Sequence, residues 1–272
     1  MFMYNPMPAP LLSCPARTEP DLIDLLQARQ GMVCVVGAGG KKTTLYTLAA
    51  RHPGRVGITT TVKLMPFPDN LAGQRIIASG TQLIEQTLAA ARTERKVAFA
   101  RPGCKDHRVS GLNQSALDTI RQQAGFDLLL VKADGARQRM IKAPADHEPV
   151  IPTGTTTVLA LVSGQVIGRR LDDRIAHRLE RLAAVTGAKQ GEILQPLHIA
   201  RLLTSEQGLL KNTAGIRVVP IINQVDDVGC QAAAEAARLA LSLTDRFDYV
   251  VLAAMNRAQP VVEIIRRPVN GR

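Results

Sequence analysis

The sequence predicts an α/β fold built on a doubly wound, mostly parallel sheet. Continuous apolar runs, typical of strands buried on both faces, alternate along the chain with segments that have the periodicity of helices. The apolar runs stop between residues 171 and 212, where helical spacing dominates. Alternating strands and helices form parallel sheets whose ligands bind at the carboxyl ends of the strands. We therefore predict a ligand site at that edge and a helical annex near 171–212.

Local patterns predict the individual elements. A first helix is expected over 18–29, because Thr18 can cap it and Pro20 and Asp21 suit its first turn. Further helices are predicted at 42–51, after Thr81 and near 114–124. Strands are predicted at 32–36, 55–61, 74–79, 96–100, 126–131, 156–162 and 216–222, with weaker candidates at 248–255 and 260–266.

The predicted organisation is a flexible N-terminal segment, 1–17, followed by one domain over 18–272 that includes the annex. Within the annex, Ile175, Leu179 and Leu182 fall at helical spacing. His177 and Arg178 are accordingly predicted to lie on the solvated face of an amphipathic helix.

Composition excludes several classes of protein. With 46% apolar residues, the chain is neither disordered nor collagen-like, and it has no apolar run of the roughly 20 residues that a membrane helix needs. The proline-broken start resembles no secretory signal, and the 4 cysteines form no disulfide framework, so a cytoplasmic location without membrane association is expected. The net charge of +11 favours anionic partners, but the charges are dispersed and aromatic residues make up only 3%, which disfavours nucleic acid.

The turn after the first strand carries the strongest functional signal. Strand 32–36 leads into Gly37, Ala38, Gly39 and Gly40, and then into a helix that starts Lys41-Lys42-Thr43-Thr44. Glycines let consecutive backbone amides converge on an anion, and a helix N-terminus adds free N–H groups. We therefore predict that 37–44 bind the phosphates of a nucleoside triphosphate, ATP or GTP, in a P-loop NTPase-like sheet.

The lysine that would neutralise the phosphates has two candidates. The turn is shorter than GxxxxGK[ST] and closer to the GxxGK[ST] turn of Mur-type ligases. Either Lys41 binds the phosphates, with Lys42 where Ser or Thr is expected, or Lys42 binds them and Thr43 offers its hydroxyl to Mg²⁺. The second alternative is favoured because it keeps a hydroxyl beside the lysine. A purely structural glycine turn is the other alternative, although two lysines would then oppose the helix dipole.

Asp134 comes just after strand 126–131 and before Gly135. A carboxylate at such a strand end holds Mg²⁺ or its water in P-loop NTPases. An Asp before Gly is also common in ordinary turns. The glycine turn upstream favours the catalytic and metal-binding role for Asp134.

The loop that follows Asp134 is rich in functional side chains and stiffened by prolines. His147 is a candidate acid or base, and Glu148 is a candidate for orienting water or binding a cation. The alternative is an exposed polar loop.

Two further strand ends carry candidate ligand residues. Thr60 lies in a run of threonines, 59–61, and its hydroxyl is a candidate Mg²⁺ ligand, although Thr is also common in strands. Asn223 and Asp226 lie in a segment similar to the guanine-binding Asn-Lys-x-Asp motif of GTPases, with Gln224 in place of Lys. A plain strand-to-turn junction is the alternative, so the base is left open.

Four segments, VVGAGGKKTT, ITTTVK, VKADGARQRMIKAPADHEPVIP and INQVD, occur in an order that resembles the YqeC family of accessory proteins for selenium-dependent hydroxylases. The resemblance covers about residues 20–255 and implies a P-loop nucleotide-binding protein linked to the maturation of molybdenum hydroxylases. It also implies a role for Lys142 within the third segment. Lys132 stands where the family is expected to carry an acidic residue, which removes one candidate metal ligand.

Together these features predict an NTP-binding protein, by its loop a P-loop NTPase, that hydrolyses NTP with Mg²⁺ to assist the maturation of such a hydroxylase. The expected partners are the hydroxylase or its maturation proteins. Two alternatives remain. One is an ATP-dependent ligase or kinase that acts on a small molecule, and the other is a nucleotide-gated chaperone without useful turnover.

Overall fold

A computed structural model describes residues 21–69, 71, 73–104, 108–226 and 228–268. The predicted N-terminal segment, 1–17, lies outside these residues. The helices are α1 Leu22–Leu25, α2 Lys41–Arg51, α3 Gly80–Thr93, α4 Gln114–Gln123, α5 Leu179–Thr186, α6 Pro196–Thr204 and α7 Cys230–Leu243. The strands are β1 Gly31–Gly37, β2 Val56–Thr60, β3 Gln74–Ile77, β4 Lys96–Pro102, β5 Val109–Ser110, β6 Leu128–Lys132, β7 Ile141–Lys142, β8 Thr157–Ser163, β9 Ala176–His177, β10 Arg217–Asn223, β11 Tyr249–Ala253 and β12 Val261–Arg266.

The predicted α/β architecture is confirmed. The large sheet has the order β12-β11-β10-β8-β1-β6-β2-β4-β3, and β5 pairs with β4. All neighbouring pairs are parallel except β11 with β12 and β4 with β5. The central strands form because their apolar runs are buried on both faces, as parallel strands between helices require.

Side chains of β1 alternate between the two faces of the sheet. Met32, Cys34 and Val36 join the larger core, under α3, α4, α6 and α7, whereas Val33 and Val35 join the smaller core, under α1 and α2. Helices on both faces bury these side chains completely or nearly so.

The segment 171–212 packs into the larger core rather than standing apart from it. Leu182 of α5 and Ile199 of α6 are buried in that core, and α6 packs against α7. The prediction of a solvated helical face at His177 and Arg178 is wrong. His177 belongs to β9, which pairs with β7, and Arg178 has left-handed backbone angles (φ 65°) just before α5. A two-residue strand has no periodicity that the sequence could reveal.

The first helix is shorter than predicted. It covers only Leu22–Leu25, and Thr18 and Pro20 lie outside the described residues. Asp21 caps it by accepting a hydrogen bond from the Ile23 amide at 3.0 Å. The chain then turns at Gln27, where φ is 53°, a value that a right-handed helix does not allow.

The connections place a topological switch point beside β1. The chain runs from β1 through α2 to β2 on one side, while β8 and β10 follow on the other side. Ligands of open α/β sheets bind in the crevice at such a point, beyond the carboxyl ends of the strands. Here that crevice is bounded by Gly37 at the end of β1, Asp134 just after β6 and Ser163 at the end of β8. Across the residues described, no helix combines the length and apolarity needed to cross a membrane.

Candidate functional site

The glycine turn lies at the carboxyl end of β1 and touches the backbone of β8. Gly37 has φ 90°, and a Cβ on it would lie 2.0 Å from the Leu161 carbonyl oxygen. The next amide, that of Ala38, donates to the same Leu161 oxygen at 2.9 Å. Only glycine fits at position 37, and the turn is held against the sheet by backbone contacts.

We call residues 37–43 the phosphate loop, after the role that the sequence predicts for them. Gly40 is the N-cap of α2, has φ 104° and offers no side chain to the helix. The first amide that forms the α2 ladder is that of Thr44, which donates to the Gly40 oxygen at 2.9 Å. Within the described part of the chain, the amides of residues 39–43 donate to no protein acceptor. A row of free N–H groups at a helix N-terminus is suited to an anion.

The two lysines that begin α2 have different environments. Lys41 is 6% exposed, and its Nζ lies 3.0 Å from Asp134 Oδ1 and donates to the Gly37 carbonyl oxygen. Burial lowers the pKa of Lys41, although the Asp134 carboxylate opposes this shift. Lys42 is exposed. The structure thus places Lys41, rather than the favoured Lys42, next to the acidic strand end.

Asp134 is the centre of the site's electrostatics. Its Oδ2 accepts a hydrogen bond from the Gly37 amide at 2.9 Å and lies 3.0 Å from Lys142 Nζ. No residue in the described ranges donates a well-directed hydrogen bond to Oδ1, the oxygen that faces Lys41. Burial raises the pKa of Asp134, but Lys41, Lys142 and the Gly37 amide outweigh it, so the pKa lies below its usual value.

Charged side chains continue from Asp134 into the loop and the annex. Lys142 is fully buried, and its Nζ lies 2.7 Å from the Gly135 oxygen and 2.7 Å from Glu148 Oε2. Arg178 reaches the same Glu148 oxygen at 2.5 Å. Burial alone would raise the pKa of Glu148. The hydrogen bonds and charges of Lys142 and Arg178 outweigh this effect and hold the pKa at about 2. We call Lys132, Asp134, Lys142, Glu148 and Arg178 the charge cluster.

Lys132 completes the cluster from the end of β6. Its Nζ donates to the backbone oxygen of Asp134 at 2.6 Å. Burial, with the nearby positive charge of Lys41, lowers the pKa of Lys132 to about 7. Lysines 41, 132 and 142 therefore all surround Asp134, an arrangement that would suit a ligand with several negative charges.

Of the remaining predicted residues of this region, only Glu148 joins the charge cluster around Asp134. Thr60 Oγ1 donates at 2.9 Å to the Lys132 oxygen and accepts from the Val62 amide at 3.1 Å. Thr44 Oγ1 donates to the Gly40 oxygen at 3.1 Å. His147 is exposed, whereas Glu148 is buried in the charge cluster.

The segment after β10 lies against the phosphate loop. Asn223 is buried, its Nδ2 donates to the Gly39 oxygen at 2.7 Å, and its Oδ1 accepts from the Met255 amide at 3.0 Å. Both ends of this amide are therefore used by the protein itself. A cavity of about 250 Å³ extends from Gly40 and Thr43 past Asn223 to Asp226.

Comparison with known proteins identifies the family of this chain. A family model described as "YqeC protein" matches residues 33–180. The "Uncharacterized protein YqeC" of Escherichia coli (strain K12) is 31% identical over 209 residues, which are 75% of this chain and 80% of that protein. The chain belongs to the YqeC family. No solved structure matches it significantly.

The matched range of the YqeC model contains the phosphate loop and the whole charge cluster, but it ends before Asn223 and Asp226. Arg178 was not predicted as a site residue, because its place in the cluster depends on the pairing of β9 with β7. Lys142 was one of the functional side chains noted in the loop after Asp134, and the family resemblance implied a role for it. A further signal in the sequence is its place among apolar residues, Ile141, Ala143 and Ala145, that are buried in the structure.

Proposed function

We propose that this YqeC protein binds a nucleoside triphosphate through the phosphate loop. The observation that carries the proposal is the row of unpaired amides at 39–43, at the carboxyl end of a central parallel strand and beside Lys41. Such amides stabilise phosphate oxygens, and they need no rearrangement because backbone contacts already hold the turn.

Lys41 is the phosphate lysine in this proposal. It is the first residue of α2 and lies within the row of free amides, and its partner Asp134 lies on the adjacent strand end. A triphosphate would draw the Lys41 ammonium away from Asp134, since phosphate oxygens offer more negative charge than one carboxylate. Lys42, exposed on the next position, would contribute only through long-range attraction.

The residues present fit a Mg²⁺ ion carried by the triphosphate. Mg²⁺ in such sites is held by one or two protein oxygens together with phosphates and water. The candidates for holding it are Asp134, whose Oδ1 would be released when Lys41 turns toward the phosphates, and Thr43, exposed in the first turn of α2. Thr60 is not retained, because its hydroxyl is engaged at both donor and acceptor positions. No group of three or more His, Cys, Asp or Glu side chains that could hold a metal occurs among the described residues, and a nucleotide-borne Mg²⁺ does not require one.

The proposed activity is hydrolysis of the terminal phosphate. Bound Mg²⁺ would neutralise charge on the phosphate oxygens. The loop amides and Lys41 would stabilise the transferring group, and Lys142 would hold the Asp134 carboxylate in place. His147 stays a candidate for handling water because it is exposed, whereas Glu148 is assigned to positioning Lys142. By family resemblance, we propose that this activity assists the maturation of a selenium-dependent molybdenum hydroxylase.

A specific observation favours a second candidate, phosphoryl transfer to a small molecule. A cavity of about 500 Å³ lies beside α2, lined by Lys42, Tyr46 and Leu71 among others, and Thr43 lines both this cavity and the one near Asp226. A ligase or kinase would need such a neighbouring space for its acceptor.

The decisive experiment is calorimetric titration of the full chain with ATP and GTP, with and without Mg²⁺. Lys41→Ala is expected to weaken binding by roughly 100-fold, as expected for loss of a charge-assisted contact of about 3 kcal/mol. Lys42→Ala is the matched control and is expected to change affinity by less than about threefold. Thermal melting of each variant separates lost binding from lost folding.

Equal loss of nucleotide affinity in the folded Lys41→Ala and Lys42→Ala variants would refute the assignment of Lys41 as the phosphate lysine. Absence of nucleotide binding by the parent protein would refute the function. Phosphate released without an acceptor would support hydrolysis, and release only with an added acceptor would support transfer.

A further inference from the structure

The cavity at the end of β10 has the position and chemistry of a pocket for the base of the nucleotide, an inference that rests on the proposed function. Its first wall is the phosphate loop, at Gly40 and Thr43. Its other walls are the end of β10 with the turn that follows it, 223–226, the turn 254–257 after β11, and Gln165 just after β8. A ligand held by its phosphates at the loop can therefore extend through this cavity toward Asp226.

The size of the cavity matches one flat ring system. Its volume is about 250 Å³, slightly below the roughly 300 to 1,000 Å³ of pockets that enclose whole drug-sized ligands. Asn223 fixes the distance between the walls, because it bonds to Gly39 on one side and to Met255 on the other. A Cβ on Gly40 would lie 2.3 Å from Asn223 Nδ2, so this close junction also requires glycine there.

The turn after β10 presents hydrogen-bond acceptors that the protein does not use. Asp226 Oδ1 accepts from the Gly229 amide at 2.7 Å, which orients the carboxylate, and Oδ2 has no donor among the residues that the structure describes. Gln224 lies at φ 60° and is half-buried, and its Oε1 is buried without a partner in the same described set. An unpaired buried acceptor is costly unless a water or a ligand supplies the donor.

The turn after β11 contributes a hydrogen-bond donor, the guanidinium of Arg257. Arg257 lines the cavity, and its guanidinium forms no ion pair within the described part of the chain. Arginine binds the O6 and N7 acceptors of guanine with two hydrogen bonds, whereas adenine places an amino group where guanine has O6.

The geometry points to a guanine nucleotide as the ligand, with Asp226 reading the base. Guanine carries N1–H and N2–H₂ donors for the acceptors at Asp226 and Gln224, and its O6 and N7 face the chemistry of Arg257. Asn223 is a positioning residue that joins the phosphate loop to the base pocket.

The test compares GTP, ATP, XTP and inorganic tripolyphosphate as ligands of the full chain with Mg²⁺. The parent is expected to bind GTP at least about tenfold more tightly than ATP. Asp226→Asn is expected to weaken GTP binding by roughly 10- to 100-fold and to strengthen XTP binding by about tenfold, because xanthine has a carbonyl where guanine has its amino group. The variant keeps an oxygen for the Gly229 amide, so its fold is expected to be unchanged. Tripolyphosphate affinity should stay the same.

Asp245→Asn, at an exposed site that pairs with Arg267, is the matched control and should alter none of the affinities. Equal binding of GTP and ATP, or an unchanged GTP to XTP ratio in Asp226→Asn, would overturn the base assignment while leaving triphosphate binding intact. Failure of every ligand, tripolyphosphate included, would overturn both proposals together.

Discussion

The phosphate loop and the charge cluster lie side by side at the same edge of the sheet, yet they use polar groups in opposite ways. In the loop, the amides of 39–43 have no protein partner among the described residues. In the cluster, Lys142 and Glu148 are buried and contact each other, and each also has another partner. Unused donors are suited to a ligand, whereas satisfied charges fix the positions of neighbouring groups. We therefore expect substitutions in the loop to change ligand affinity, and substitutions in the cluster to change the stability of the fold that holds the loop in place.

The largest expected effect tests the cluster at its centre. Asp134→Asn is expected to lower the free energy of unfolding by about 3 to 5 kcal/mol, because Lys41 and Lys142 then lose a buried counter-charge. Urea unfolding measures it. Asp146→Asn, in the same loop but in an exposed pair with Arg181, serves as the control and should leave the unfolding curve unchanged. Equal changes in the free energy of unfolding for the two variants would show that the buried position of the cluster does not increase its contribution to stability.

Glu148 gives the cluster a pH signature. Its folded-state pKa of about 2 lies below the ordinary 4.5, so the stabilisation is complete above pH 4.5 and is lost as the pH falls from 4.5 toward 2. Glu148→Gln is expected to lower the free energy of unfolding at pH 7 by about 2 kcal/mol, after allowance for partial solvent screening.

Unfolding at pH 7, 5 and 3.5 checks this expectation, since the difference between parent and variant should be nearly the same at pH 7 and 5 and clearly smaller at pH 3.5. Glu206→Gln, at an exposed position, should give a pH-independent and negligible difference. A constant difference for Glu148→Gln across the three pH values would contradict the assigned shift.

Thr43 tests the loop side of the comparison. Thr43→Val is expected to reduce Mg²⁺-dependent triphosphate affinity by about tenfold, the equivalent of one hydroxyl contact, and to leave stability unchanged because the residue is exposed. Thr44→Val should lower the free energy of unfolding and leave the affinity unchanged, since the buried Thr44 hydroxyl bonds to the Gly40 oxygen. Nucleotide titration measures the affinity of both variants, and urea unfolding measures their stability. A loss of stability in Thr43→Val but not in Thr44→Val would contradict the assignment of the Thr43 hydroxyl to the ligand.

The smallest effect concerns the outer end of the cluster. Arg178→Ala is expected to lower the free energy of unfolding by about 1 kcal/mol, because its side chain is largely enclosed and bonds to Glu148. Arg181→Ala removes an exposed arginine from the same annex and should shift the urea midpoint by no measurable amount. A larger loss of stability in Arg181→Ala than in Arg178→Ala would show that β9 does not hold Arg178 in the cluster.

The long elements could be predicted because their patterns are long. Continuous apolar runs gave β1, β6, β8 and β10 to within a few residues, and the glycine turn was placed at the correct strand end. The two-residue strands β7 and β9 carry no period, so the sequence could not place Arg178 beside Glu148.

Side-chain positions in the site were harder to predict than the elements. The choice between Lys41 and Lys42 depends on where α2 begins, and this is set by the left-handed angles of Gly40, which several glycines of the turn could have adopted. Asn223 was predicted to contact a base, whereas its amide is used to join two loops that are distant in sequence.

The contact between Lys41 and Asp134 supplies the phosphate loop with a counter-anion of its own. Any incoming anion must compete with a carboxylate that is already in place, so a singly charged species gains little by displacing it. If the proposed function holds, a polyphosphate tail would gain most, because several of its oxygens would reach the amides and the ammonium together. The loop would then select ligands by their charge density before the rest of the ligand is recognised.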